Sequence, residues 1–261
     1  MHVHDFSATV YSNLPGILLN WPSMFPRPPP PPLEPKPTLP LPFTGYNVAP
    51  DETQRLLALA ARDDGTSLKS YAGFYELLLA AIDPVTGDSP LHRAAAAGNH
   101  ASMVSMVYCF GKQLSHVPRT ERLLWVLWTH QNSAGDTALH AAASAGSLKG
   151  VKSVYRLFWR DSHDPDDDDM CNPDSPAESW EWDGNEGAAL PALAFLCTKN
   201  RAGRDAAAET RATGHDDIAF WLERVAERLV PAGQKVDEDY LRRARQAALD
   251  THRYFDGGTH G

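Results

Sequence analysis

The amino-acid sequence predicts an all-α protein in which pairs of helices stack into a solenoid, and three observations carry that prediction. A 13-residue pattern occurs twice, as GDSPLHRAAAAGN at 87–99 and as GDTALHAAASAGS at 135–147. A more divergent third copy, GRDAAAETRATGH, occupies 203–215. Apolar residues spaced three and four positions apart follow each copy, as in an amphipathic helix. Units of this kind bury their apolar faces only against their neighbours, so the copies are expected to stack.

The first helix of each unit is predicted from the residues at its start. Ser89 and Thr137 carry hydroxyl groups that can cap a helix by accepting from exposed backbone N–H groups. Pro90 suits the first helical position, where its missing N–H group is not needed. Leu91 and Leu139 then open an alanine-rich stretch whose small side chains allow close helix packing.

Glycines mark the ends of the same helices. Gly98, Gly146 and Gly214 suit the left-handed conformation that ends one helix and turns the chain into the next. Gly203 opens the third copy at the distance from Gly214 that separates Gly87 from Gly98. The second helices are expected to bury Met103, Met106, Val107, Val151, Val154, Tyr155, Ile218, Trp221, Leu222 and Val225.

The repeated pattern resembles the ankyrin repeat over roughly residues 51–230. The resemblance implies that His92 and His140 bridge adjacent repeats by hydrogen bonds. It also implies that the hairpin tips and the first helices form a concave face that binds proteins. Ser144, which lies in the weak nucleophile-like sequence AASAG, is then explained as a helical residue of the repeat.

Insertions separate the repeats. Gly87, Gly135 and Gly203 are 48 and 68 residues apart, whereas uninterrupted ankyrin repeats recur about every 33 residues. We therefore predict an ankyrin domain over 51–232. Its parts are a cap at 51–84 with helices at 52–62 and 67–82, a repeat at 85–112, an insertion at 113–132, a repeat at 133–160, an acidic insertion at 161–190 and a repeat at 198–230. A C-terminal capping helix at 237–251 and a tail complete residues 233–261.

Residues 1–50 form a proline-rich tail that contains 13 of the 21 prolines. Because proline fixes φ and lacks an N–H group, this segment is predicted to be disordered or extended as polyproline II. Residues 25–42 are a candidate ligand for a proline-binding domain. The alternative is a solvated tail without a partner.

The charges exclude several classes of function. The chain has 24 Lys and Arg against 33 Asp and Glu, a formal net charge of −9, which gives no overall attraction to nucleic acid or to an anionic membrane. No stretch of 18 apolar residues is present, so no segment is predicted to span a membrane. We expect a cytoplasmic protein, with the nucleus as a second compartment. We also expect a monomer. The three cysteines lack metal-ligand spacing, and no phosphate-binding or dinucleotide-binding motif occurs. We therefore predict no enzyme activity, no metal and no cofactor.

Aromatic and acidic residues in the two insertions are the candidates for partner binding. Trp125 and Trp128 lie in the first insertion, where they either contact a partner or pack on the neighbouring repeat. Residues 161–187 hold 11 acidic residues and no Lys or Arg. Trp180 and Trp182 stand among these acids, an arrangement that suits a partner rich in Lys and Arg; the alternative is a solvated linker. The acids singled out are Asp166, Asp167, Asp168 and Asp169.

A closer resemblance is to a small fungal family of ankyrin-repeat chaperones that hold a newly made, very basic small-subunit ribosomal protein. It is carried by the cap, the two well-matched repeats, an insertion that ends near Asn132 and the sequence NRAGRDAAAE at 200–209. The family has an acidic C-terminal tail, whereas this chain ends in THRYFDGGTHG and carries its acids at 161–187. The resemblance implies an escort for a basic client. The alternative is an adaptor that joins a proline-binding partner to a partner held by the repeats.

Overall fold

The computed structural model describes residues 48–62, 64–71, 75–114, 126–158, 186–231 and 233–254, and all the regular structure within them is helical. Residues 1–47 of the proline-rich tail and the acidic residues at 166–169 lie outside this part of the chain. Pro50, predicted as the last residue of the tail, is instead the first residue of a helix, where its missing N–H group is not needed. Residues 126–129 form a short helical segment. The numbered helices are α1 (Pro50–Ala61), α2 (Gly65–Lys69), α3 (Tyr75–Ala80), α4 (Pro90–Ala97), α5 (His100–Leu114), α6 (Ala138–Ser144), α7 (Leu148–Phe158), α8 (Glu186–Leu196), α9 (Ala206–Thr213), α10 (Asp216–Arg228) and α11 (Glu238–Tyr254).

The helices form two rows, as expected for an ankyrin solenoid. The inner row runs α1, α4, α6, α9, and each of these helices packs on the next. The outer row contains α2, α5, α7 and α10, each packed on its inner partner. The predicted apolar stripes of the outer helices lie at the centre of this arrangement, because Met103, Val154 and Val225 are fully buried.

Caps define the inner helices as the sequence predicts. Ser89 and Thr137 are the N-cap residues of α4 and α6, each with extended backbone. At the other ends, Gly98 has φ +70°, Gly146 φ +68° and Gly214 φ +83°. This left-handed region is open to glycine at low cost because glycine has no Cβ. The chain therefore reverses immediately into the outer helix.

The first unit differs from the prediction. One helix was expected over 67–82, but the structure has α2 and α3, and residues 72–74 between them lie outside the described part. Asp64 starts α2 two residues early, because its Oδ1 accepts from the backbone N–H of Ser67 at 2.9 Å. The backbone N–H of Tyr71 reaches back only three residues, to the carbonyl of Leu68 at 3.0 Å, which tightens the last turn of α2.

Helix α8 is the main element that the sequence analysis did not predict. Its first residues, 186–190, were expected to belong to the acidic insertion. From Ala189 to Leu196 the helix is buried on every side, so it lacks the amphipathic period by which surface helices are found in a sequence. Pro191 lies inside it and removes one hydrogen bond of the helix. The predicted C-terminal capping helix is α11, and it packs mainly along α8 instead of continuing the inner row.

Gly150 sets the distance between α7 and α4. A Cβ atom at this position would lie well inside van der Waals contact with the backbone carbonyl oxygen of Ala95, and it would crowd Ala142. Glycine is therefore required here by close packing, although it weakens a helix interior by about 1 kcal/mol relative to alanine.

We predict that Gly150→Ala lowers the free energy of unfolding by about 1–3 kcal/mol, because the backbone must separate to admit the methyl group. Helix propensity alone predicts a gain of about 1 kcal/mol. Chemical denaturation monitored by circular dichroism measures the change. The control is Ser144→Ala at an exposed position of α6, which should change stability by at most about 0.5 kcal/mol. A Gly150→Ala variant as stable as the wild type would contradict the close approach of Gly150 to the carbonyl oxygen of Ala95.

Candidate functional site: the hairpin ladder

Three hairpin tips project from the stack of helices, and each one comes just before an inner helix: α4, α6 or α9. They are residues 83–88, 132–136 and 200–204, and a backbone hydrogen bond of 2.8–2.9 Å closes each one. Each tip contains a glycine with positive φ: Gly87 at +75°, Gly135 at +80° and Gly203 at +76°. The glycines shared by the three sequence copies thus serve the turn of the tip. We call the three joined tips the hairpin ladder.

Backbone hydrogen bonds join each tip to the next. The N–H group of Ser133 donates to the carbonyl oxygen of Thr86 at 2.9 Å. One repeat later, the N–H group of Arg201 donates to the carbonyl oxygen of Ala134 at 3.0 Å. The acceptors, Thr86 and Ala134, both immediately precede the glycine of their tip, so the tips line up in register.

Two asparagines hold the tips in the same way. The Oδ1 atom of Asn132 accepts from the backbone N–H groups of Ala134 and Asp136, both at 2.9 Å, and its Nδ2 atom donates to Asp88 Oδ1 at 2.8 Å. Asn200 repeats this pattern and donates to Asp136 Oδ1 at 2.8 Å. Each asparagine therefore closes its own tip and ties it to the preceding one. The sequence analysis did not select these asparagines as site residues. Both stand three positions before the glycine of their tip, and this repeated spacing could have identified them.

The two repeat histidines bridge neighbouring units, as the resemblance to ankyrin repeats implies. His92 Nε2 lies 2.9 Å from the carbonyl oxygen of Asp136, and His140 Nε2 lies 3.1 Å from that of Arg204. The Nδ1 atoms face the capping hydroxyls of Ser89 and Thr137, each at 2.9 Å. A carbonyl only accepts, so Nε2 carries the proton and Nδ1 accepts; both rings are neutral.

Burial explains why these rings stay neutral. The pKa of His92 falls to about 4, because desolvation disfavours the imidazolium and the nearby ring of His130 adds repulsion. Desolvation also lowers the pKa of His140. The carbonyl of Asp136 and the carboxylate of Asp88 act in the opposite direction but do not overcome it.

His130 is a third member that sequence reasoning missed. Its ring stands edge-on to that of His92, with ring centroids 5.5 Å apart, and its Nε2 lies 2.9 Å from the carbonyl oxygen of Gly87. Desolvation lowers its pKa as well. It lies outside the 13-residue pattern, so the repeat gave no signal for it.

Substitutions end the ladder on both sides. At the first tip, Asp83 and Pro84 stand where the later tips have Asn and an N–H donor, so neither can donate to a preceding tip. At the third tip, Arg204 replaces the aspartate. Its Nε donates to Glu209 at 2.8 Å, and the Glu209 carboxylate also accepts from Asn200 at 2.9 Å.

The candidate partner-binding residues have different placements. Trp128 is only 2% exposed, and its Nε1 donates to the carbonyl oxygen of Val154 at 3.2 Å. This favours packing on the neighbouring repeat over contact with a partner, so Trp128 does not offer an exposed anchor. The other candidates lie outside the described residues: Trp125, Asp166, Asp167, Asp168, Asp169, Trp180 and Trp182.

Burial also affects the two cysteines among the described residues. Burial raises the pKa of the Cys109 and Cys197 thiols to about 11, which keeps both in the weakly nucleophilic neutral form. Within the described part of the chain, no group of three His, Cys, Asp or Glu side chains could hold a metal ion. Nor is any helix there long and apolar enough to cross a membrane.

We predict that acid weakens the fold through His92. Its pKa is about 4 in the folded chain and about 6.5 when unfolded. Between these values the unfolded chain binds the proton, so the stabilisation present above pH 6.5 is lost as pH falls toward 4. The slope contributed is at most about 1.4 kcal/mol per pH unit.

Denaturation of the wild type and of His92→Gln at a series of pH values measures this slope. The variant should be less stable at pH 7 by about 1–2 kcal/mol, because a bridging hydrogen bond is lost. Above pH 7 the two curves should run parallel, which serves as the control. Below pH 6.5 the variant should lose stability less steeply, and equal slopes would contradict a neutral, buried His92.

No protein-family model matches the chain, and no curated protein matches it significantly. Among solved structures, it is similar to a chain of the crystal structure of the yeast ribosomal protein Rps3 in complex with its chaperone Yar1. The identity is 18%, the match covers 67% of this chain and 93% of that chain, and the TM-score is 0.42. The ankyrin-type solenoid is evident in this chain itself, from its paired helices, its registered tips and its bridging histidines.

Proposed function

We propose that the chain is a non-enzymatic protein-binding scaffold that escorts a basic client protein. The observation that carries the proposal is the hairpin ladder, in which polar groups are used to fix the tips rather than to perform chemistry. The apices of the tips remain available, since Val85 is 83% exposed and Ser133, Ala134, Arg201 and Ala202 are also exposed. Because the backbone of this edge is already fixed, binding costs only the ordering of the exposed side chains.

The acidic insertion supports a basic client. The chain leaves α7 at Phe158 and returns at Glu186, the start of α8. The segment between these two helices is therefore attached to the solenoid at both ends. It carries the 11 acidic residues of 161–187, the last of which, Glu186, is the first residue of α8. The rest of the chain has 33 − 11 = 22 acidic residues against 24 Lys and Arg, so the excess negative charge belongs to this segment. A basic small-subunit ribosomal protein is the client class that the sequence resemblance implies.

A pull-down with two deletions tests the proposal against the adaptor alternative. Full-length chain, a variant lacking 161–187 and a variant lacking 1–50 are used as baits, with bound proteins identified by mass spectrometry. We expect loss of basic clients only when 161–187 is deleted. Loss of the bound proteins only on deletion of 1–50 would favour the adaptor. Unfolding curves of the three baits serve as the control, because the registered tips are present in all of them.

The salt dependence of binding gives a sharper prediction. Exposed charges are screened over about 8 Å at physiological salt, so affinity for a basic client should fall steeply as salt rises, mainly through slower association. Replacing Asp166, Asp167, Asp168 and Asp169 by Asn should flatten that dependence and leave stability unchanged. Replacing Trp180 and Trp182 by Ala should instead speed dissociation. Surface plasmon resonance at several salt concentrations measures both rates.

Asp216→Asn with Asp217→Asn is the matched control, since both acids are exposed on α10 and lie outside the acidic insertion. That variant should keep the wild-type salt dependence. Equal affinities of the wild type and the four-Asn variant at every salt concentration would reduce the insertion to a solvated spacer.

A further inference from the structure

A groove of about 450 Å³ lies at the C-terminal end of the inner row, between α8, α9 and α10. We call it the end groove. Val236, on the connection to α11, lines one side and is 43% exposed. The volume is near the lower limit for ligand pockets and has room for a few side chains. The apolar floor consists of Leu193, Leu196, Ala207, Ala208, Leu222 and Ala226.

The end groove occupies the place where another repeat would stack. In the two earlier repeats this forward face carries a histidine that reaches the next tip, His92 or His140. Ala208 stands at the same position of the third repeat, which leaves the volume of an imidazole ring unfilled. Arg211 stands where the earlier repeats have a buried alanine. Because α11 packs mainly along α8, it does not replace the missing inner helix.

Carboxylates dominate the rim of the end groove. Asp205, Glu223 and Glu227 line it, and Arg211 is the single cation among the lining residues that the structure describes. Arg211 is already paired, since both of its terminal nitrogens donate to the Glu223 carboxylate, one of them at 2.8 Å. Asp205 Oδ1 accepts from the backbone N–H of Ala208 at 2.9 Å.

Glu227 is paired as well, because Arg224, next to the lining, donates to its Oε2 at 2.7 Å. With both arginines counted, the rim keeps one negative charge in excess beside an apolar floor. The pair of Arg224 and Glu227 is solvent-exposed, so a partner cation can replace Arg224 at little cost.

We propose that the end groove binds a short helical segment of a partner protein. One or two aliphatic side chains of this segment lie on the floor, and Lys or Arg side chains one turn away contact Asp205 and Glu227. Charge complementarity selects the basic segment, and it disfavours the acidic insertion of the same chain as the occupant. The inference rests on the proposed function in one respect, that the chain binds proteins. It adds a second candidate surface, built from residues other than those of the acidic run at 166–169.

The test uses a fluorescein-labelled helical peptide with Leu at positions three and four apart and Lys between them, and a twin with Glu in place of Lys. Anisotropy titrations of full-length chain give the dissociation constants. The Lys peptide should bind at least about tenfold more tightly than its twin. Ala208→Phe, which fills the groove, and Glu227→Lys, at an exposed rim position, should each weaken binding about five- to tenfold.

Asp217→Lys is the matched control, because it makes the same charge change on α10 outside the groove; it should stay within about twofold of the wild type. The four-Asn variant of 166–169 separates the two proposals, since it should keep the effect of Ala208→Phe. Failure of the client assays with that effect intact would overturn only the escort function. Three outcomes would overturn the proposed role of the end groove. They are equal weakening by Glu227→Lys and Asp217→Lys, no effect of Ala208→Phe, and no saturable binding of the Lys peptide.

Discussion

The hydrogen bonds that join one hairpin tip to the next are the interaction on which the solenoid depends. Stacked repeats have few contacts between residues distant in the sequence, so each interface must be specified locally. Here the interface uses three kinds of donor: a backbone N–H such as that of Ser133, an asparagine amide and a neutral histidine. Each donor meets an acceptor that has a fixed place in the preceding or following tip. Apolar burial supplies most of the driving force, while these polar contacts fix the register.

The same chemistry fixes the length of the array. A further hairpin tip on the N-terminal side would need a donor at the first tip, where Asp83 and Pro84 provide none, although the helix pair α1 and α2 stacks there. A further repeat on the C-terminal side would need a small residue and a bridging ring, where Arg211 and Ala208 stand. The hairpin ladder thus ends on each side through two substitutions in an otherwise repeated pattern.

The sequence predicted most reliably what is local or repeated. Ser89 and Thr137 act at a helix start within three residues of their own position, and Gly98 and Gly146 act through their own backbone, so these roles follow from residue type and position. Helix α8 could not be found in this way, because burial on every side removes periodicity and Pro191 argues against a helix.

Contacts between distant residues were also out of reach. The ring of His130 and the indole of Trp128 are placed by the turn of helix at 126–129, and no pattern in one sequence specifies which face that turn buries. The hydrogen bonds from the two asparagines to the preceding tip, and the end groove, likewise depend on which repeats become neighbours. The sequence analysis assigned the histidine bridges only because the ankyrin resemblance supplied the stacking.

The position of the insertions shows how a rigid array can carry long additional segments. Each tip is entered from a helix that ends three or four residues before it: α3 before Asp83, the segment 126–129 before Asn132, and α8 before Asn200. The segments 115–125 and 159–185 precede those helices, so a packed helix separates each of them from the next tip. Because loop-closure entropy grows only slowly with length, a long segment placed there costs little stability. Salt is expected to act through the 11 acidic residues of 161–187 and acid through the buried histidines of the hairpin ladder, so the two proposals can be tested independently.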